Sequence, residues 1–171
     1  MLSNKNPSSP KTTSERPTRP TTRPEIRQFR RRDLRRILEI ERDCFGRDAW
    51  PARLFLAYWQ SSPELFLIAK DRGKIAAYSI TRTGWRGAEL ESIAVDPRYR
   101  GRGLAQALLH ATIARLGGGA LRLMVSTANE PALRFYLRFG FIRVRKVANY
   151  YGAGRHAWRM RLKLDNSGPK Q

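Results

Sequence analysis

The sequence predicts a single α/β or α+β domain, and two observations carry that prediction. Strand-like and amphipathic helical segments alternate along most of the chain, with turn residues between them. The 171 residues, 41% of them hydrophobic, are enough for one domain with a sizeable core. We expect this domain to span residues 25–164.

The two ends of the chain differ from this domain. Residues 1–24 alternate Pro, Thr, Ser and Arg with almost no apolar content, so they cannot build a core. We predict a disordered basic tail over residues 1–24 and a flexible C-terminus over residues 165–171.

The predicted strands consist of alternating or continuous apolar residues bounded by turn signals. They cover residues 26–29, 65–69, 74–81, 88–95 and 121–125, and two final strands follow, the last over residues 156–164. The predicted helices have an apolar stripe of helical period. They cover residues 33–43 and 51–59, the stretch from the Arg100–Ala105 run to Gly117, and the stretch from Asn129 to Gly140.

A glycine-bearing loop lies between the strand over 88–95 and the next helix. Gly101 and Gly103 let backbone amides approach a ligand closely, and the helix adds its positive N-terminal end. Arg98, Arg100 and Arg102 add charge around the loop. The pattern indicates a phosphate or pyrophosphate site, and a simple tight turn is the alternative.

Two motifs together resemble the signatures of the GNAT superfamily of N-acetyltransferases. The first is Arg100-x-x-Gly103-x-Ala105 after the run SIAVDPRY, and the second is Asn129-x-x-Ala132-x-x-x-Tyr136-x-x-x-Gly140-Phe141. The resemblance covers residues 26–164. It implies a GNAT-type single domain, with a mixed, mostly antiparallel sheet of about six to seven strands flanked by about four helices. It also implies an acetyl-CoA-dependent N-acetyltransferase.

The resemblance further implies which residues hold acetyl-CoA. The backbone around Ile93, Ala94 and Val95 would pair with the pantetheine arm, and Asn129 would contact the cofactor arm or cap its helix. The pyrophosphate would be cradled by the amides of Arg100, Gly101, Arg102, Gly103, Leu104 and Ala105.

Acetylation of an amine requires a base for the ammonium proton and an acid for the leaving thiolate. The matching tyrosine of the family points at the thioester sulfur, so Tyr136 is the predicted acid; a core aromatic is the alternative reading. Glu91 is the predicted base, acting directly or through water. It has the strand parity of Ile93 and Val95, so we expect it to face the same side of the sheet. Glu89 shares that parity.

The acceptor is indicated by two further resemblances to protein N-terminal acetyltransferases, including the bacterial ribosomal-protein-alanine enzymes. Asn149-Tyr150-Tyr151-Gly152 resembles their Tyr-Tyr hairpin, and residues 40–50 resemble the loop between their first two helices. Tyr150 and Tyr151 would then grip the substrate backbone, while Phe45 and Trp50 would line the pocket for its first side chain. Met124 stands where that branch often has a glutamate.

The amino-acid composition bears on the partners, metal binding and location of the protein. The net charge of +20 favours anionic partners, and weak association with the ribosome or nucleic acid is one expectation. The single cysteine, Cys44, and two histidines predict no metal site and a reducing, cytoplasmic location. We predict a monomer or dimer without a membrane segment. The preferred acceptor is a protein or peptide α-amine; a small amine, or a non-catalytic acyl-CoA- or RNA-binding role, are the alternatives.

Overall fold

The structure is a computed structural model that describes residues 24–85 and 87–164. Predictions for the N-terminal tail up to residue 23 and for residues 165–171 therefore lie outside the described residues. In the described part, the strands β1 to β7 are Glu25–Gln28, Phe66–Asp71, Lys74–Gly84, Gly87–Val95, Gly119–Ser126, Ile142–Val147 and Ala157–Leu164. The helices α1 to α4 are Leu34–Phe45, Ala52–Ser61, Leu104–Leu116 and Glu130–Phe139.

The described strands form one sheet in the order β1-β2-β3-β4-β5-β7-β6. Its neighbouring strands are antiparallel except β4 and β5, which run parallel. The mixed, mostly antiparallel sheet predicted from the motifs is therefore confirmed, as are its four helices. Among the described residues, no helix is both long enough and apolar enough to cross a bilayer.

Helices cover the sheet unequally on its two faces. On one face, α1 and α2 pack against β2, β3 and β4 through a core that includes Phe55, Phe66 and Tyr78. On the other face, α3 and α4 pack across the sheet through two further clusters. We call these the α1–α2 face and the α3–α4 face.

The sheet opens between β4 and β5. The two strands pair only over Ala88–Leu90 and Leu121–Leu123, although both continue for several residues beyond. The separation coincides with a β-bulge, because Ser92 pairs with Ile80 and Leu90 with Thr81 while Glu91 has no partner in β3. A bulge bends a strand and increases its twist, so the bulge at Glu91 accounts for the divergence. The resulting space is called the β4–β5 gap.

Candidate active site

The loop before α3 has an open, amide-rich conformation. Gly101 and Gly103 both have φ of +74°, and apart from the adjoining residues no atom lies within 4 Å of the position that a Cβ would take on either residue. Gly103 is the N-cap of α3, and no side chain caps the helix there. The first amides of α3 therefore remain available to a ligand. This geometry is that of an anion-binding helix N-terminus.

Asp96 fixes the start of this loop. Its buried carboxylate accepts hydrogen bonds from the backbone amide of Arg98 at 2.9 Å and from the Arg98 guanidinium, and it also forms an ion pair with Arg36. The Arg98 hydrogen bonds are the main reason that the pKa of Asp96 lies far below its usual value. The turn is thus held by a carboxylate that stays ionised.

The predicted positive charge around the loop is partly neutralised. Arg102 forms a 2.5 Å ion pair with Asp71 and lies over the Tyr99 ring. Arg98 is paired with Asp96, so both side chains serve to fix the loop. Arg100 is exposed and lies beside Cys44 at the end of α1.

The edge of β4 that faces the gap offers backbone groups to a ligand. The Asp96 amide donates to the Ala76 carbonyl of β3, so the preceding residue, Val95, turns its N–H and C=O away from β3. Alternation gives Ile93 the same orientation. Ala94 directs its backbone groups toward β3, so the predicted contribution of Ala94 through these groups is not supported. Ile93 keeps its backbone groups and Val95 keeps its N–H, whereas the Val95 carbonyl accepts a hydrogen bond from Cys44 Sγ at 3.3 Å.

The opposite side of the gap is formed by β5, α4 and the segment between β6 and β7. The Tyr151 hydroxyl donates to the carbonyl of Met124, the first residue of β5 beyond its pairing with β4, at 3.3 Å. Tyr136 of α4 is buried against Phe141. Burial, and next the neighbouring Tyr151, raises the pKa of Tyr136 well above its ordinary value. Tyr136 therefore keeps its proton over the neutral and mildly alkaline range.

Asn129 caps its helix, which was one of the two roles predicted for it. Its Oδ1 accepts a hydrogen bond from the Ala132 amide at 3.1 Å and caps α4. Contact with a cofactor remains a prediction for this residue.

Glu91 does not share the face of Ile93 and Val95, so the parity prediction was wrong. Ile93 and Val95 pack toward α3, whereas the Glu91 carboxylate accepts a 2.8 Å hydrogen bond from Arg82 on the α1–α2 face. The bulge adds one residue to β4 and thereby reverses the alternation. Glu91 also adjoins Tyr58 of α2, where burial first and Glu91 second raise the Tyr58 pKa to about 12.

The segment between β6 and β7 forms one wall of a groove that leads to the gap. Its turn is organised by Asn149, which has a φ of 54° and accepts a hydrogen bond from the Gly154 amide at 2.9 Å. The Asn149 amide in turn donates to Nδ1 of His156 at 3.1 Å. Tyr150 and Tyr151 are in edge contact at 4.8 Å between ring centroids.

The α1–α2 loop forms the opposite wall, and an ion pair joins the two walls at the rim. Arg155 contacts Asp48 through two hydrogen bonds of 3.2 and 2.5 Å. Tyr150 lies near the groove floor, since burial and then Glu89 and Glu91 raise its pKa. We call this space, between the α1–α2 loop and the β6–β7 segment, the acceptor groove.

The two residues predicted to line the substrate pocket occupy different environments. Trp50 stacks on Tyr58 with ring centroids 5.4 Å apart and packs, partly buried, against the core of the α1–α2 face. Phe45 lies at the end of α1 with an exposed ring. Their contact with a substrate remains a prediction.

Sequence reasoning missed a buried carboxylate under the α1–α2 loop. Glu41 accepts a hydrogen bond from the Trp50 amide at 2.9 Å and another from the Tyr78 hydroxyl, which also contacts Ser92 at 3.0 Å. Burial raises the pKa of Glu41. Its place beside Ile37 and Ile40 on the buried stripe of α1 was the available signal. Tyr58 and Arg82 were likewise missed, because only folding brings them to Glu91.

The groups present fit an acyl-coenzyme A. The open glycine loop at the α3 N-terminus suits a diphosphate, and the unpaired edge of β4 suits an amide-bearing arm. Tyr136 and Tyr151 lie across the gap from that edge. The acceptor groove approaches the same gap from the α1–α2 face.

Comparisons with known proteins agree with this geometry. The sequence profile of the acetyltransferase (GNAT) family matches residues 34–141. An uncharacterized N-acetyltransferase of Methanocaldococcus jannaschii is 33% identical over 151 residues, which are 84% of this chain and 95% of that protein. N-alpha-acetyltransferase RimI of Mycobacterium tuberculosis is 35% identical over 150 residues, which are 84% of this chain and 93% of that protein. The crystal structure of the ribosomal-protein-S18-alanine N-acetyltransferase from Escherichia coli superposes with a TM-score of 0.74 at 29% identity, covering 86% of this chain and 98% of that one.

Proposed function

The chain belongs to the GNAT family of acetyltransferases and is an acetyl-CoA-dependent acyltransferase, and we propose that it acetylates the N-terminal α-amine of a protein or peptide. The observation that carries this proposal is the acceptor groove, which is walled by two segments and leads to the β4–β5 gap. Its two walls meet at the Arg155–Asp48 pair. Relatives described as acting on protein N-termini support the choice of acceptor.

Each substrate has its own side of the sheet in this proposal. The amides from Arg100 to Ala105 hold the diphosphate of acetyl-CoA, and the backbone groups of Ile93 and Val95 hold its arm. The bound thioester supplies the activated acetyl group. Tyr150 and Tyr151 hold the peptide backbone, with Phe45 and Trp50 beside its first side chain.

Two proton transfers are assigned to residues of this chain. Glu91, directly or through water, takes the proton from the ammonium group, so that the amine attacks within a ternary complex. Tyr136 donates its hydroxyl proton to the departing sulfur, a role supported by the raised pKa that keeps this hydroxyl protonated.

The choice of an α-amine rests on acid–base chemistry. An α-amine has a pKa of about 8 and a lysine side chain one of about 10.4, so the α-amine needs a weaker base. Glu91 is hydrogen-bonded to the Arg82 guanidinium at 2.8 Å. An α-amine therefore demands less of Glu91, or of a water beside it, than a lysine side chain would.

A thiol-release assay with acetyl-CoA and a panel of peptides that differ in the first residue tests the proposal. We expect release with free N-termini and none with the same peptides blocked at the N-terminus. A matched set with an internal lysine and a blocked N-terminus serves as the control. Release with small amines but not with peptides would replace the proposal by small-amine acetylation. Coenzyme binding without release on any amine would contradict catalysis. The cytoplasmic location stays a prediction.

A further inference from the structure

Part of the sheet carries basic side chains on a side that no described helix covers. Leu121 and Leu123 of β5 and Met160 of β7 lie in the core beneath α3 and α4. Alternation directs the residues between them to the opposite side. On that opposite side, the sheet residues that pack beneath α1 and α2 belong to β2, β3 and β4. The uncovered surface, called the cationic face, consists of Arg122, Arg145, Arg159, Arg161 and Lys163.

The register of the strands brings like charges together on this face. Arg122 of β5 lies directly opposite Arg161 of β7, and Arg145 of β6 lies opposite Arg159 of β7. Like charges in directly opposed positions destabilise a sheet. Among the ion pairs of residues 24–85 and 87–164, none includes a residue of the cationic face. The arrangement is unfavourable for the free protein and becomes favourable with a bound polyanion.

An aromatic side chain adjoins the cationic face. A shallow depression at the turn between β3 and β4 is lined by Trp85, Arg82, Glu89, Arg122 and Arg159. Trp85 is 89% exposed, which is unusual for the largest apolar side chain. Guanidinium groups next to an exposed indole provide both charge and a surface on which a planar group can stack.

We infer that the cationic face binds the phosphate backbone of a single-stranded nucleic acid, with Trp85 stacking on a base. Guanidinium groups bind phosphate oxygens in pairs. Arg159, Arg161 and Lys163 follow one strand at intervals of roughly 6.6 Å, a repeat that suits a chain of regularly spaced phosphates. The exposed indole of Trp85 offers the kind of aromatic surface on which bases stack. An acidic polypeptide would satisfy the charges but has no bases to stack.

This surface is separate from the acetyl-CoA site. The glycine loop leads into α3, which packs on the other side of the sheet, so a bound nucleic acid would leave the coenzyme accessible. The face adjoins the acceptor groove where Arg159 lies near Tyr150, and the depression beside Trp85 includes Arg82, which contacts Glu91. Arg159 is therefore left unchanged in the variants below.

Binding of fluorescent oligonucleotides to the full-length protein tests the inference. The face variant carries Arg145→Glu, Arg161→Glu and Lys163→Glu. The control variant carries Arg31→Glu, Arg35→Glu and Arg115→Glu, which are exposed positions on other elements and give the same change in net charge. Both variants keep the N-terminal tail, so its contribution cancels. The probes are an RNA and a DNA oligonucleotide of about 16 nucleotides without stable pairing.

We expect the face variant to lose affinity at least about tenfold and the control to lose less than about threefold. Because three phosphate contacts are removed, the slope of log affinity against log salt should fall by about 2 for the face variant. Trp85→Ala should weaken oligonucleotide binding several-fold without changing the salt slope. A preference for the RNA or the DNA probe identifies which nucleic acid the face uses.

Three outcomes would overturn the inference. Equal losses in the face and control variants would mean that binding follows diffuse charge. Binding of polyglutamate as tight as that of an oligonucleotide of equal charge would indicate an acidic protein instead. No measurable oligonucleotide binding by the unmodified protein would exclude the site outright. Arg145→Glu and Arg161→Glu each place a negative charge opposite an arginine, Arg159 and Arg122 respectively, and unchanged thiol release and thermal midpoint verify the fold.

Discussion

The coenzyme loop and the acceptor groove differ in how the chain builds them. The loop from Asp96 to Leu104 is one continuous stretch between β4 and α3, and its conformation is set mainly by glycines and by Asp96 within it. The acceptor groove joins two segments that are far apart in the sequence. Its rim pair, Asp48 and Arg155, is 107 residues apart in sequence.

This difference predicts how each region responds to change. A continuous loop whose backbone conformation requires glycine should fail abruptly when that conformation is disturbed. A groove assembled from many separate side chains should lose function by degrees, because each contact contributes a small part of the binding. The substitutions below test this contrast, from the largest expected effect to the smallest.

Gly103→Val should cause the largest loss. Gly103 has φ of +74°, a conformation that costs a branched residue upwards of about 1–2 kcal/mol, and the added side chain enters the loop that receives the diphosphate. We expect coenzyme affinity, measured by calorimetry, to fall about 100-fold. Gly117→Val, at the other end of α3 with φ of +69°, is the matched control. Equal coenzyme affinity in the two variants would argue against the loop as the diphosphate site.

Tyr136→Phe should lower turnover about 100-fold and leave coenzyme affinity nearly unchanged, because a general acid is lost without a change in packing. Steady-state kinetics and calorimetry separate the two quantities, and Tyr99→Phe is the control. Since burial raises the pKa of Tyr136, the wild-type rate should show no decline from its ionisation at the usual tyrosine pKa of about 10. Unaltered turnover would remove Tyr136 from the acid role.

Glu91→Gln should lower turnover about tenfold toward peptides at neutral pH. The loss should shrink as pH rises toward the α-amine pKa, because the amine then arrives already deprotonated. The comparison is Glu89→Gln, whose carboxylate also contacts Arg82, at 3.7 Å. A larger loss in the Glu89 variant would transfer the base role to that residue, and no loss in either would favour water alone.

Tyr151→Phe removes the hydrogen bond to the Met124 carbonyl and keeps the ring. We expect the KM for peptides to rise several-fold, while coenzyme affinity stays the same. Tyr150→Phe is measured alongside, because its ring lies against Tyr151. A parallel loss of coenzyme affinity would show that Tyr151 serves the thioester side of the gap rather than the peptide.

Arg155→Ala should have the smallest effect. Both side chains of the Arg155–Asp48 pair are more than half exposed, so solvent and salt screen their attraction. We expect the peptide KM to change less than about threefold, with Asp48→Asn giving a similar result. A large loss of activity in either variant would mean that the rim pair must close before the reaction proceeds.

Residues whose positions depend on local contacts were predicted from the sequence. Residues whose positions depend on distant contacts were misplaced or missed. Gly103, Asn129 and Gly140 were predicted at helix ends and lie there, because capping and positive φ are local requirements. Glu91 was selected as a candidate base, but its face was predicted wrongly. Alternation assumes regular pairing, and the bulge opposite β3 breaks it. Glu41 was overlooked because its partners Tyr78 and Trp50 come from other elements.

The amino-acid sequence by itself determined the order of strands and helices, the glycine loop ahead of α3 and the family to which the chain belongs. These features depend on neighbouring residues, on hydrophobic period and on the conformational freedom of glycine. Only the tertiary structure decided that Glu91 faces Tyr58, that the two groove walls meet at Asp48, and that arginines of three strands share one uncovered side. Strand register and the bulge set those positions, and both depend on pairing between segments far apart in the chain.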